Sequence, residues 1–226
     1  MHTINLTLPA GSQELAIDRL VVAGWVGKDR AALQKHIDEL AALGVTPPGR
    51  TPTYMNLSPS LLTSGEVMSV VGPNSSGEVE AVVVGARDGK RYLTVGSDHT
   101  DRQFEQYGIP ESKQMCAKPL AGEAWPLDEV RDHLAEVTLR SWVVDGGQRR
   151  LYQEGTLAAN RDIFELLDGM PPECVPDGCS FCLFCGTFAA IGGLAYGERF
   201  AIEMSDPLRK RRITHAYDIR VLPQFI

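Results

Sequence analysis

Ser76-Gly77-Glu78-Val79-Glu80-Ala81-Val82-Val83-Val84 carries two carboxylates into an uninterrupted apolar run. Side chains alternate across a β-strand, so Glu78 and Glu80 share a face, roughly 6.5 Å apart, and Val82 and Val84 continue it. Val79, Ala81 and Val83 fill the other face. A strand apolar on both faces is one buried on both. Two carboxylates at its head repel each other where water is scarce, and one must take a proton unless a cation joins them. Hard oxygen ligands of this kind suit Mg²⁺, Mn²⁺ or Ca²⁺. The bland alternative is a pair of glutamates facing water at a strand end.

This run lies in the most β-rich part of the chain. Residues 66–71 and 78–84 flank the turn-forming segment 72–77, GPNSSG, which predicts a hairpin with a longer loop. A strand over 91–95 follows the turn Arg87-Asp88-Gly89. It leads into Gly96-Ser97-Asp98-His99-Thr100-Asp101-Arg102, which packs two acids, a histidine, two hydroxyls and an arginine into a few positions. Polar groups clustered at a strand end beside glycine build a site on a rigid sheet. The alternative is a turn into a helix capped by Asp98 or Thr100.

Farther out, Ile4, Leu6 and Leu8 alternate with polar residues and predict an opening strand, and 15–22 predicts a second. Asp29 caps a helix with Leu33, Ile37 and Leu40 on one face and Gly44 at its end. Residues 45–60, with prolines at 47, 48, 52 and 59, read as an irregular loop. A short helix is expected over 126–134, strands over 137–144 and 149–152 about the turn Gly146-Gly147, and a second short helix from the cap Asn160 through Leu167. Strands at 180–184, 199–204 and 213–221 close the chain. Strands outnumber helices and hairpins imply mostly antiparallel pairing, so the fold class is β-dominated α+β in a single domain, residues 1–226.

Composition narrows the function classes. The 226 residues are 43% hydrophobic and 23% charged, ordinary for a globular domain able to bury its own core. A formal net charge of -7 argues against nucleic acid as a partner, and the run Arg209-Lys210-Arg211-Arg212 reads as a solvated strand end. No secretion signal opens the chain, so the N-x-S/T triplets at Asn5, Asn56 and Asn74 read as chance matches. Residues 178–197 lack charge but hold five glycines and three cysteines, unlike a membrane span. The expectation is a cytoplasmic protein without a membrane partner. Its five cysteines read as reduced thiols. Cys179-x-x-Cys182-x-x-Cys185, with Cys174 upstream, offers a competing iron–sulfur or zinc reading, but Cys179 and Cys185 alternate with Cys182 along an apolar strand, so the three need not converge. His133 and His215 read as surface or hydrogen-bonded histidines.

Glu78-x-Glu80 followed by Ser97-Asp98-His99-Thr100-Asp101-Arg102 resembles the fumarylacetoacetate hydrolase superfamily, whose pattern is E-x-E on a strand and then N/S-D-x-x-x-R. Lys113 and Lys118 flank the position of a family lysine, and Pro119 with Trp125 is similar to its proline-rich turn. Gly186-Thr187 resembles the Gly-Thr near the substrate, and Gly197-Glu198-Arg199-Phe200 opens a later strand. The likeness spans residues 66–222, leaves 1–65 as an N-terminal extension or lid, and is closest to an uncharacterised branch, a domain of unknown function.

The resemblance implies a fumarylacetoacetate hydrolase-like β-roll of mixed sheets with a few short helices, assembled as a homodimer. It implies Glu78, Glu80 and Asp98 as ligands of Mg²⁺, or of Mn²⁺ or Ca²⁺. Catalytic roles fall to His99, Arg102, Lys113 and Lys118, and substrate contacts to Arg102, Glu105 and Thr187. The implied activity is a hydrolase or lyase acting on a small 2-oxo, acylpyruvate-like acid through a metal-stabilised enolate. Alternatives are a decarboxylase or tautomerase on the same scaffold and a non-catalytic metabolite-binding relative. Two lysines stand for one role, and the His–Glu pair that activates water in hydrolytic members has no counterpart.

Overall fold

Val79–Gly85 is buried along its whole length. Val79, Ala81 and Val83 enter a cluster with Leu93, Val95, Ile202 and Met204. Val82 and Val84 enter a second one with Leu20, Val22, Cys182 and Phe184. Each fully buried valine contributes about 1.5–3 kcal/mol, and burying an ion costs several, so this strand can hold an acidic pair at its head.

The computed structural model describes residues 1–42 and 47–225 and sets this strand in a six-stranded sheet. Its order is Trp125–Pro126, Arg91–Ser97, Val79–Gly85, Phe181–Phe184, Arg19–Gly24 and Thr53–Leu57. A five-stranded sheet runs Gln148–Thr156, Thr138–Asp145, Arg199–Asp206, Arg211–Leu222 and Val67–Val71. Both sheets feed side chains into the first cluster. The hairpin His2–Leu8 with Gly11–Ile17 adds Ile4, Leu6, Leu15 and Ile17 to the second, covering the other face of the larger sheet. This is the strand-rich roll of mixed sheets with short helices that the resemblance implied.

Several local expectations change. Val67–Val71 does not form a hairpin with Val79–Gly85; it pairs in parallel with Arg211–Leu222, in the other sheet. Its alternating burial suits a sheet edge, whereas Val79–Gly85 is enclosed on both faces. The six-residue linker instead pairs Ser75–Ser76 with Thr100–Asp101. Residues 15–22 break at Asp18, whose carboxylate accepts from Arg87 and from Ser180 N, turning the chain from the hairpin into the sheet.

Thr53–Leu57 is an edge strand within the expected loop, a place that tolerates Pro52 beside it. Residues 126–134 form 3₁₀ turns, Leu127–Glu129 and Arg131–Glu136, with non-helical backbone at His133. Asp29 caps Arg30–Ala42 as expected, accepting from Ala31 N and Ala32 N; Gly44 lies outside the described residues. Ile163–Asp168 is capped by Asp162 rather than Asn160.

Among the described residues three strand pairs are parallel, and one inserts Arg19–Gly24 beside Phe181–Phe184. Residues 19–24 and 53–57 are therefore woven into the sheet that carries the acidic pair. No described helix is long and apolar enough to cross a membrane.

Candidate metal centre

Antiparallel register brings the acids together. Glu80 lies opposite Gly96 and Val79 opposite Ser97, so the next residue, Asp98, meets Glu78, whose carbonyl accepts from Asp98 N at 2.9 Å. One oxygen each of Glu78, Glu80 and Asp98 lies within 4.8 Å of the others. Thr100 Oγ1 donates to Asp98 O at 2.9 Å, closing the turn after the strand. The cap of the following helix, Arg102–Glu105, is Asp101, which accepts from Gln103 N and Phe104 N.

Three cations surround the trio. Arg102 pairs with Glu78 Oε1 at 2.8 Å and Glu105 Oε2 at 2.9 Å, and donates to Ser76 Oγ at 2.6 Å. Lys113, from the helix Ile109–Gln114, places Nζ 3.0 Å from Glu78 Oε2, 2.5 Å from Asp98 Oδ2 and 3.3 Å from Thr100 Oγ1. Lys118 Nζ is fully enclosed. It donates to the carbonyls of His99 (2.7 Å), Cys116 (3.0 Å) and Lys113, and stands 3.3 Å from Asp98 Oδ1. The two lysines thus divide the labour: Lys118 knits the backbone under Asp98, and Lys113 reaches the carboxylates.

Neutralisation is uneven. Burial pushes the Glu78 carboxyl up, but Arg102 and Lys113 outweigh it and hold it down at about 2. Burial, then the charges of Asp98 and Glu78, drive Glu80 well above the carboxylate range; the Gly186 N–H at 2.7 Å offsets only part. Burial lowers the Lys113 ammonium's pKa, but Asp98 and Glu78 more than reverse this. Lys118 is lowered by burial, with Asp98 opposing and Lys113 reinforcing the shift. Asp98 Oδ1 is buried and accepts no hydrogen bond; its Lys118 contact is an ion pair only.

His99 is fully enclosed. Its Nδ1 lies 3.1 Å from Tyr217 Oη, which donates to Ser97 Oγ at 2.7 Å, and Phe200 meets the ring edge-on at 5.4 Å between centroids. Burial, then Lys118 and Arg102, keep the imidazole well below its usual pKa, hence neutral. The ring hydrogen-bonds Tyr217 rather than the carboxylates, and only the carbonyl of His99 meets the lysine below.

The loop after Phe181–Phe184 forms another wall. Thr187 Oγ1 donates to Val79 O at 2.9 Å and accepts from Gln153 Nε2 at 2.8 Å. Gln153, which the sequence did not single out, also donates to Phe188 O and accepts from Val79 N and Ser141 Oγ. Asn160, missed except as a cap, donates to Gly186 O and Thr187 O. The signal for both residues is tertiary: a register shift between Ser141 and Trp142 marks the strand pair that carries Gln153.

The donor set fits a divalent cation. Glu80 has no paired cation, one oxygen of Asp98 accepts no hydrogen bond, and all three side chains offer hard oxygen. The cysteines do not converge: Cys182 lies in the second cluster, Cys174 and Cys185 in the first, and burial raises the thiols of Cys182 and Cys185. Among the described residues this trio is the one group of metal-ligating type.

A family model described as "Protein of unknown function (DUF2848)" matches residues 23–217. No curated protein matches the chain. Among solved structures, a 5-carboxymethyl-2-hydroxymuconate delta-isomerase from Mycobacterium smegmatis superposes with a TM-score of 0.65 at 13% identity, over 99% of this chain and 100% of that one. A protein from Oleispira antarctica provisionally named fumarylacetoacetate isomerase/hydrolase gives 0.64 at 19%, over 95% and 99%. A 2-keto-3-deoxy-D-arabinonate dehydratase complexed with magnesium and 2,5-dioxopentanoate gives 0.60 at 19%, over 91% and 74%. At these identities the likeness is one of fold.

Proposed function

We infer the function from the premise that the chain belongs to the DUF2848 family and is built on the fumarylacetoacetate hydrolase-like fold. It is a divalent-metal-dependent hydrolase or lyase of a small 2-oxo acid of the acylpyruvate kind. One observation carries this reading: three buried or half-buried carboxylates meet within 4.8 Å, and one of them, Glu80, is buried with no cation paired to it. The fold shared with a dehydratase that binds magnesium and a dioxo acid supports it.

Glu78, Glu80 and Asp98 would hold Mg²⁺, Mn²⁺ or Ca²⁺. Such an ion, when bound, supplies a Lewis acid for the adjacent oxygens of a dioxo substrate and stabilises negative charge developing there. The chain's own groups do the rest. The Gly186 N–H orients Glu80, and Lys118 fixes the backbone that carries Asp98. Arg102, braced by Glu78 and Glu105, and the ammonium of Lys113 provide positive charge for a substrate carboxylate. The assembly is a homodimer, as the resemblance implies; Val67, Val71, Val221 and Leu222, exposed on adjacent strands, offer an apolar strip for it.

The test is calorimetric binding of Mg²⁺ and Mn²⁺ to the wild type, Glu80→Ala and Asp98→Ala, followed by a screen of oxo acids with each ion. Binding that both substitutions abolish supports the reading. A wild type that binds neither ion, even with oxalate present, removes its foundation.

A second reading, decarboxylation or tautomerisation on the same scaffold, is favoured by the enclosure of His99, whose ring hydrogen-bonds Tyr217 rather than a carboxylate of the trio. Products separate the two: two carbon fragments with water incorporated for hydrolysis, carbon dioxide or an isomer for the alternatives.

A further inference from the structure

We propose that Lys113 is a resident counter-ion that competes with the divalent cation for Glu78 and Asp98, so that metal loading displaces its ammonium. The inference rests on the metal reading above and deepens it. Lys113 Nζ lies 2.5 Å from Asp98 Oδ2 and 3.0 Å from Glu78 Oε2, two of the three candidate ligands. Its third contact is Thr100 Oγ1, at 3.3 Å. A hydrogen-bonded ammonium and a metal ion draw on the same oxygen lone pairs, so each weakens the other's hold.

The other cations are placed differently. Lys118 is fixed by three backbone carbonyls beneath the site. Arg102 is pinned at three points, to Ser76, Glu78 and Glu105. Lys113 touches only the ligands and one hydroxyl, through a flexible four-carbon stem whose backbone is anchored: its own carbonyl accepts from Lys118. It is the cation built to leave. In the metal-free protein it neutralises Glu78 and Asp98 and spares the fold their repulsion. During loading it lowers the apparent affinity, because the binding-competent state is only a fraction of the total. Once displaced, the ammonium stands free beside the site, where an anionic substrate would meet it.

Mn²⁺ binding to wild type, Lys113→Met and Lys113→Gln, followed by calorimetry and by electron paramagnetic resonance of free Mn²⁺, tests this. Melting curves in chelator and in Mn²⁺ accompany them. Removing the competitor should tighten Mn²⁺ binding by about tenfold or more. The same variants should melt below wild type in chelator and gain more on adding Mn²⁺. Lys113→Gln keeps a polar group of similar reach should Lys113→Met fold poorly. Equal or weaker binding by a folded variant, with a wild type that binds, overturns the role of Lys113 and leaves the metal reading standing. Binding by none of the three overturns both.

Discussion

The backbone N–H of Gly186 donates to Glu80 Oε2 across 2.7 Å, tying the strand that opens the site to the loop that forms its wall. Glycine is required there twice over. Its φ is +90°, and an added Cβ would lie 2.1 Å from Val26 Cγ2. Gly186→Ala should cost about 2–4 kcal/mol, from left-handed strain together with overpacking. It should also weaken divalent-ion binding by turning the N–H away from Glu80. Denaturant titration and calorimetry measure the two effects.

Glu80→Gln removes a carboxylate that burial, Asp98 and Glu78 already make hard to ionise, and it keeps an oxygen for the Gly186 N–H. Metal-free stability should therefore stay level or rise, while Mg²⁺ and Mn²⁺ binding disappears. Thermal melts in chelator decide the first half; a fall of several degrees would mean that Glu80 is ionised and paired in the metal-free protein.

The parts of this architecture that were legible in the sequence are those written locally. Val79 to Val84 declare two buried faces by composition alone, and Glu78, Glu80, Asp98 and Arg102 follow from strand alternation and a short motif. What escaped depends on contacts remote in the chain. The GPNSSG turn looks like a hairpin connection, yet Val67–Val71 finds its partner at residues 218–222. Lys113 and Lys118 are indistinguishable by spacing, because carbonyls of His99 and Cys116 decide which one is held. Gln153 sits between Tyr152 and Glu154 in an edge strand and gains its role only where Val79, Thr187 and Phe188 converge on it.

Asp206 gives a pH prediction away from the site. It accepts from Arg209 N, His133 Nε2 and Arg211 Nε, while Arg211 stacks over Trp125 at 4.4 Å. Burial raises its pKa, but these hydrogen bonds outweigh burial and the net shift is downward. Stabilisation from a depressed carboxyl is complete above its unfolded value of about 3.9 and is lost as pH falls through the folded one. Asp206→Asn should cost about 1–3 kcal/mol at neutral pH and flatten this part of the acid limb. Urea midpoints of both proteins across acid and neutral pH check the sign: a gap that persists unchanged into acid counts against it.

Cys182→Ala separates the carboxylate centre from a cysteine-ligated one. The Cys182 side chain is enclosed among Leu20, Val82 and Phe184 on one side of the larger sheet, whereas Cys185 packs on the other side. Their sulfurs serve different cores, and burial keeps both thiols protonated. The substitution should cost about 1–2 kcal/mol for the small cavity and leave Mn²⁺ affinity within twofold of wild type. Elemental analysis of both purified proteins supplies the contrary outcome. Zinc or iron present in the wild type and lost with Cys182 would show that a metal depends on the cysteines, and the three carboxylates would then have Arg102, Lys113 and Lys118 as their counter-charge.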